Sequence, residues 1–177
     1  LWNRDNPLKQ IPHFSDDVLD RCKKGGVETV YDLMSLEDDE RDDILRMEGK
    51  SLEDVAEFVN KYPNIDISYK IDASEAFKAE EAITIQITLE RDEEMEDLDV
   101  VTSTFPFFKS ESWWLVLGDS STKQLYAVKK TTIAKEQQDV DLVFTLPNKG
   151  HHKLTVWCMC DSYMDADKEI EFEVDVN

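Results

Sequence analysis

The chain has 177 residues, 41% of them hydrophobic and 10% aromatic, which is enough apolar content to build a core and too much for a disordered segment. Asp and Glu number 40 against 20 Lys and Arg, and the resulting net charge of −20 repels the phosphate backbone of nucleic acids. Five Gly and five Pro exclude collagen-like and low-complexity classes, and three Cys, none in a CxxC pair, read as reduced thiols.

In chain order, the opening Leu1-Trp2-Asn3-Arg4-Asp5 lacks the form of a signal peptide and reads as an internal position of a longer protein. Ser15 is placed to cap a first helix with Val18, Leu19 and Cys22 on one face, and Gly25-Gly26 ends it. A short second helix is expected over Glu28–Met34, burying Val30, Tyr31 and Met34. Ser35 with Asp38 has the form of a capping box and opens a third helix carrying Ile44, Leu45 and Met47. Ser51 with Asp54 repeats the device, and Leu52, Val55, Ala56, Val59 and Tyr62 follow helical spacing until Pro63.

After Pro63 the period becomes two. Ile65, Ile67, Tyr69 and Ile71 alternate with polar residues, as do Ile83, Ile85, Ile87 and Leu89. Further β-type runs follow at Trp113–Leu117, Leu125–Ile133, Val140–Leu146, Lys153–Met159 and Glu169–Val176, with no helical pattern between them to serve as a crossover. One of Trp113 and Trp114 is expected to point into a core. These patterns specify an α+β chain, with a small helix–loop–helix domain over 1–62 followed by an antiparallel immunoglobulin/fibronectin-like β-sandwich over 63–177.

Catalytic chemistry finds little to work with. There is no GxxxxGK[ST], GxGxxG, GxSxG or HExxH motif, and the only histidines are His13, His151 and His152. No catalytic residue, cofactor site or metal site is therefore expected. His151, His152, Cys158 and Cys160 have zinc-type donors, but a single extended strand at ~3.3 Å per residue spreads them too far apart to share one ion. The acidic run Glu90–Asp99 has no Gly for a sharp calcium-loop turn and reads as a solvated loop between strands. Lys23 and Lys24, before Gly25-Gly26, are a weak candidate for phosphate contact, opposed by the acidic start of the third helix. The most informative patch is Phe105-Pro106-Phe107-Phe108, close before Trp113-Trp114. One strand cannot bury all these rings, so Phe105, Phe107 and Phe108 are candidate partner-binding residues, with plugging of the sandwich end or of the interface with the helical domain as the structural alternative.

Several runs, taken together, carry a resemblance. They are Leu8-Lys9-Gln10-Ile11-Pro12-His13-Phe14, Gly26-Val27-Glu28-Thr29-Val30-Tyr31-Asp32-Leu33-Met34, Tyr62-Pro63-Asn64-Ile65, Trp113-Trp114-Leu115-Val116-Leu117-Gly118-Asp119 and Asp161-Ser162-Tyr163-Met164-Asp165. The chain resembles the end of a Sec-sixty-three homology unit of the giant spliceosomal DExH RNA helicases, and most of all their second, C-terminal cassette. The resemblance implies a nuclear, non-catalytic interaction platform and regulatory module in pre-mRNA splicing, within an ATP-dependent parent. Its implied partners are other spliceosomal proteins and the remainder of its own helicase chain, with little direct RNA binding and no membrane. Two alternatives share the resemblance: a related domain pair in an endoplasmic-reticulum translocon component, and an accessory domain that grips RNA in an active cassette.

Overall fold

The computed structural model describes residues 4–72, 76–102 and 105–177. The opening Leu1-Trp2-Asn3 lies outside them. Chain contacts divide the protein into two compact units. The first contains the residues up to Pro63 together with Asp99–Ser110 and Ser162–Asp165, and the second contains Asn64–Leu98, Glu111–Asp161 and Ala166–Asn177.

The first unit is helical. A 3-10 turn at Pro7–Gln10 precedes α1 (Asp16–Lys24), α2 (Val30–Ser35), α3 (Asp38–Leu45) and α4 (Lys50–Lys61). Helix α1 places acids in its first turn and Arg21, Lys23 and Lys24 in its last, the arrangement its dipole favours. Val18, Leu19 and Cys22 are buried as the spacing predicts. Gly26 takes φ +75°, and the Val27 and Gly26 amides donate back to the Cys22 and Lys23 carbonyls at 2.9 and 3.3 Å, which closes the helix in a Schellman motif. Arg21 then donates to the Ile44 and Leu45 carbonyls at 2.6 and 2.9 Å, satisfying the end of α3.

Three local expectations are corrected. The second helix begins at Val30, because Thr29 and Asp32 form a reciprocal capping box there; Leu33 is buried in place of Met34, and Tyr31 is half-buried. Ser35 does not open α3 but closes α2, donating its hydroxyl to the Asp32 carbonyl at 2.8 Å. Helix α4 begins beyond Gly49, whose φ of +59° suits a glycine. Asp54 is consequently turned outward to His13 and Lys50, at 2.7 and 3.1 Å, rather than to a cap. Phe58 fills the core position on this helix, while Ala56 is exposed.

The second unit is the β-sandwich. Its strands are β1 (Ile65–Ile71), β2 (Ala82–Arg91), β3 (Trp113–Asp119), β4 (Gln124–Thr131), β5 (Gln137–Thr145), β6 (Gly150–Cys160) and β7 (Lys168–Val176). They form a three-stranded sheet in the order β1-β2-β5 and a four-stranded sheet in the order β4-β3-β6-β7, antiparallel at every pairing. Strict alternation buries Ile83, Ile85, Ile87 and Leu89 from one sheet against Leu115, Leu117, Leu154, Val156 and Cys158 from the other. Phe144 and Phe172 meet edge-on in this core with ring centroids 6.5 Å apart. Trp113 is fully buried and Trp114 faces out. The acidic loop begins later than expected, at Asp92, since Glu90 and Arg91 belong to β2 and Arg91 is buried.

Candidate functional site

The aromatic segment sits at the tip of a small hairpin. Asp99 and Ser110 pair antiparallel, and the Val100 amide donates to the Lys109 carbonyl at 2.9 Å, so the two ends of the segment are held together. Beyond this clasp Phe105 is 52% exposed, Phe107 74% and Phe108 77%. Phe105 and Phe107 touch edge to face at 6.2 Å, and the Phe105 amide donates to the Thr102 hydroxyl at 3.3 Å. Rings this open are not filling a core.

The hairpin is anchored within the helical unit by an aromatic cluster. The Val101 amide donates to the Tyr163 hydroxyl at 3.3 Å. Tyr163, itself buried, packs edge-on against Phe58 and Tyr62, each at 5.6 Å, and Tyr62 in turn meets Tyr31 at 5.3 Å. Polar contacts fix the same segment. The Tyr62 hydroxyl and the Gln10 amide both donate to the Met164 carbonyl, at 2.7 and 3.0 Å, while the Met164 amide donates to the Gln10 side-chain oxygen at 2.8 Å. Tyr163 lies in one of the runs that carry the resemblance, but periodicity assigned it no role, because a lone Tyr in a loop looks like any other. Its partners come from distant parts of the chain.

Lys23 and Lys24 are exposed at the end of α1. Lys23 borders an open groove of about 550 Å³ where Arg4 and Lys9 are outnumbered by Asp5, Asp16, Asp20 and Glu28. Gly25 beside them has a packing reason, since a Cβ there would stand 2.8 Å from Ile44 Cδ1. The four zinc-type side chains lie along β6, with His151 near its start and Cys160 at its end. Cys158 faces the core, and burial pushes its thiol up to about 12. His151 instead sits 2.9 Å from Asp175, whose carboxylate raises the imidazole above its ordinary value. Among the described residues no group of three or more His, Cys, Asp and Glu is placed to hold a metal, and no helix is long and apolar enough to cross a membrane.

Comparison with known proteins gives a consistent result. The Sec63 Brl domain family matches residues 1–173. Over 180 residues the chain is 43% identical to the pre-mRNA-splicing factor brr2 of Schizosaccharomyces pombe. It is 42% identical over 182 residues to the DExH-box ATP-dependent RNA helicase DExH12 of Arabidopsis thaliana. It is 38% identical over 176 residues to the U5 small nuclear ribonucleoprotein 200 kDa helicase of Homo sapiens. Each alignment covers 99% of this chain but only 8% of the relative's length.

Proposed function

The chain belongs to the Sec63 Brl domain family, and from that premise we propose that it is a non-catalytic interaction platform and regulatory module of an ATP-dependent RNA helicase acting in nuclear pre-mRNA splicing. Its relatives named as splicing and ribonucleoprotein helicases support the setting over a translocon component. The observation that carries the platform reading is the exposure of Phe105, Phe107 and Phe108 on a hairpin tethered by Tyr163. Apolar rings held in water by a fixed scaffold are poor surface and good anchors: aromatic residues at interface hot spots cost about 2 kcal/mol or more when truncated. The partners in this reading are other spliceosomal proteins and the rest of the parent helicase. The domain division at 62/63 belongs to the same proposal, with the phenylalanine hairpin working as part of the helical unit.

The test replaces Phe105, Phe107 and Phe108 singly by Ala in the full-length helicase. Spliceosomal proteins retained from nuclear extract and the melting temperature of the 177-residue chain are then measured. Loss of a defined partner at unchanged melting temperature is expected for Phe107 and Phe108. Full retention of every partner, or collapse of the fold in all three variants, overturns the reading. The isolated chain is also expected to hydrolyse no ATP, because it lacks the phosphate-loop and metal-holding motifs of such motors. Turnover that follows the protein through successive chromatographic steps would contradict this.

A further inference from the structure

The outer face of the four-stranded sheet departs from the polar surface an antiparallel sandwich ordinarily presents to water. Cross-strand partners share a face, so the register sets Val128, Val116, Trp157 and Glu169 in one row running from β4 to β7. The adjacent row is Lys130, Trp114 and Met159. Trp114 is 40% exposed, Val128 48% and Met159 37%, and Val116 and Trp157 are half-buried. Five apolar side chains thus form a continuous patch across three strands. Lys130 borders one end, its ammonium 5.3 Å from the centre of the Trp114 ring and 3.3 Å from Asp161.

The β7 border has the opposite character. Glu169, Glu171, Glu173 and Asp175 occupy alternate positions and therefore one face of the strand, the face they share with Trp157. Glu171 meets Lys153 at 2.8 Å, and His151 lies 3.7 Å from Glu173 and 2.9 Å from Asp175. Even with these pairings the row carries excess negative charge beside an apolar patch.

We infer that this face docks a basic amphipathic segment of a partner protein. Its apolar side chains cover Trp114, Val116, Val128, Trp157 and Met159, and its flanking Lys or Arg residues meet the β7 carboxylates. Charge selects this occupant. A second copy of a chain at −20 would set carboxylate rows against each other, and a phosphate backbone is repelled by the same row. The surface residues belong to the β unit and the phenylalanine hairpin to the helical unit, so different variants test the two readings.

The probe is a synthetic 18-residue helical peptide of Leu and Lys with one apolar stripe, titrated into the 15N-labelled full 177-residue chain. Controls are a scrambled peptide of identical composition and a twin in which Glu replaces Lys. The expected result is movement of the Trp114 and Trp157 indole N–H resonances, with buried Trp113 unmoved and binding weakened by salt. Val128→Glu and, separately, Met159→Lys are expected to weaken binding about tenfold or more at unchanged melting temperature, since both side chains are exposed. Glu169→Lys is expected to weaken it several-fold, and Val143→Ala, at an exposed position on the other sheet, to leave it unchanged. Equal binding of the scrambled or acidic peptide overturns the inference. So do resonance changes centred on α3, or undiminished affinity in both Val128→Glu and Met159→Lys.

Discussion

A full charge sits in the β unit where water does not reach. The Arg91 and Glu111 side chains are 5% and 3% exposed, with Arg91 Nη2 and Glu111 Oε1 2.6 Å apart. The same carboxylate oxygen accepts from the Trp113 indole at 2.7 Å, so one residue neutralises a guanidinium and satisfies the largest ring in the core. Burial holds the Glu111 carboxyl above its ordinary value, outweighing the pull of Arg91 and Trp113 toward the charged form. Arg91 Nε finds no partner among the described residues, which makes this cluster sensitive to loss. Glu111→Ala is expected to destabilise the chain by about 3–5 kcal/mol, read as a shift in the urea midpoint, because it leaves the cation buried and alone. The double variant Arg91→Met, Glu111→Leu is expected to recover most of that loss. A Glu111→Ala chain within about 1 kcal/mol of the parent would refute the account. Asp119 offers a pH test at the same scale. Its carboxylate accepts from the Ser121 hydroxyl and amide at 2.6 and 2.7 Å and from the Thr122 amide at 3.2 Å. These bonds, the Ser121 side chain foremost, lower it from 3.8 to about 2. A carboxyl that binds its proton less readily folded than unfolded contributes stability above its ordinary value and loses it as pH falls toward its folded value. The melting-temperature gap between the parent and Asp119→Ala is therefore expected at pH 7, shrinking between pH 3.8 and about 2; a gap independent of pH refutes it.

Two glycines show how elements are fitted together, and they differ in what surrounds them. A Cβ on Gly118 would lie 2.8 Å from the Gln124 backbone oxygen and 3.3 Å from the Trp157 ring, at the bulge where β3 and β4 change register. Backbone cannot swing aside. A Cβ on Gly25 would meet only the end of the Ile44 side chain, also at 2.8 Å, and a side chain can turn. Gly118→Ala is expected to cost about 1–3 kcal/mol and Gly25→Ala distinctly less, by chemical denaturation, with Ile44→Val relieving the second and nothing comparable relieving the first. Equal costs would contradict this account. The same contrast explains what the sequence could show. The sandwich strands were legible because alternation over Ile83–Leu89 or Phe172–Val176 is a local signal repeated many times. Helix starts were less so: Ser35 and Ser51 satisfy a capping pattern, but Glu37 caps α3 and Gly49 caps α4, because several nearby positions satisfy the same short pattern. The surplus of rings at Phe105–Phe108 was legible as composition. The anchoring of that hairpin by Tyr163, and the apolar outer face around Trp114, depend on pairings between residues far apart in the chain.

Charge governs what the molecule as a whole can approach. A net charge of −20 spread over the helical and β regions sets up a field that opposes any polyanion before short-range contacts form. Several basic side chains are occupied within the fold: Arg21 caps α3, Arg41 reaches the Leu36 carbonyl at 2.6 Å and Arg91 is buried beside Glu111. Lys23 and Lys24 remain on the surface, but the groove beside Lys23 holds more carboxylates than cations, so a phosphate entering it gains less than it loses. The chain is therefore expected to bind single-stranded RNA no more tightly than the ~10⁻⁴–10⁻⁶ M of non-specific contacts at physiological salt. Few phosphates are neutralised, so the logarithm of the binding constant is expected to fall only shallowly with the logarithm of salt, with a slope set by about one or two counterions released. Lys23→Glu and Lys24→Glu are expected to change the constant by less than about threefold, consistent with the loss of one screened contact. Fluorescence anisotropy with a labelled single strand across a salt series measures all three quantities. Nanomolar binding with a steep salt slope, abolished by Lys23→Glu, would show that local geometry at the end of α1 overcomes the field of the whole chain, and would assign this unit a grip on RNA.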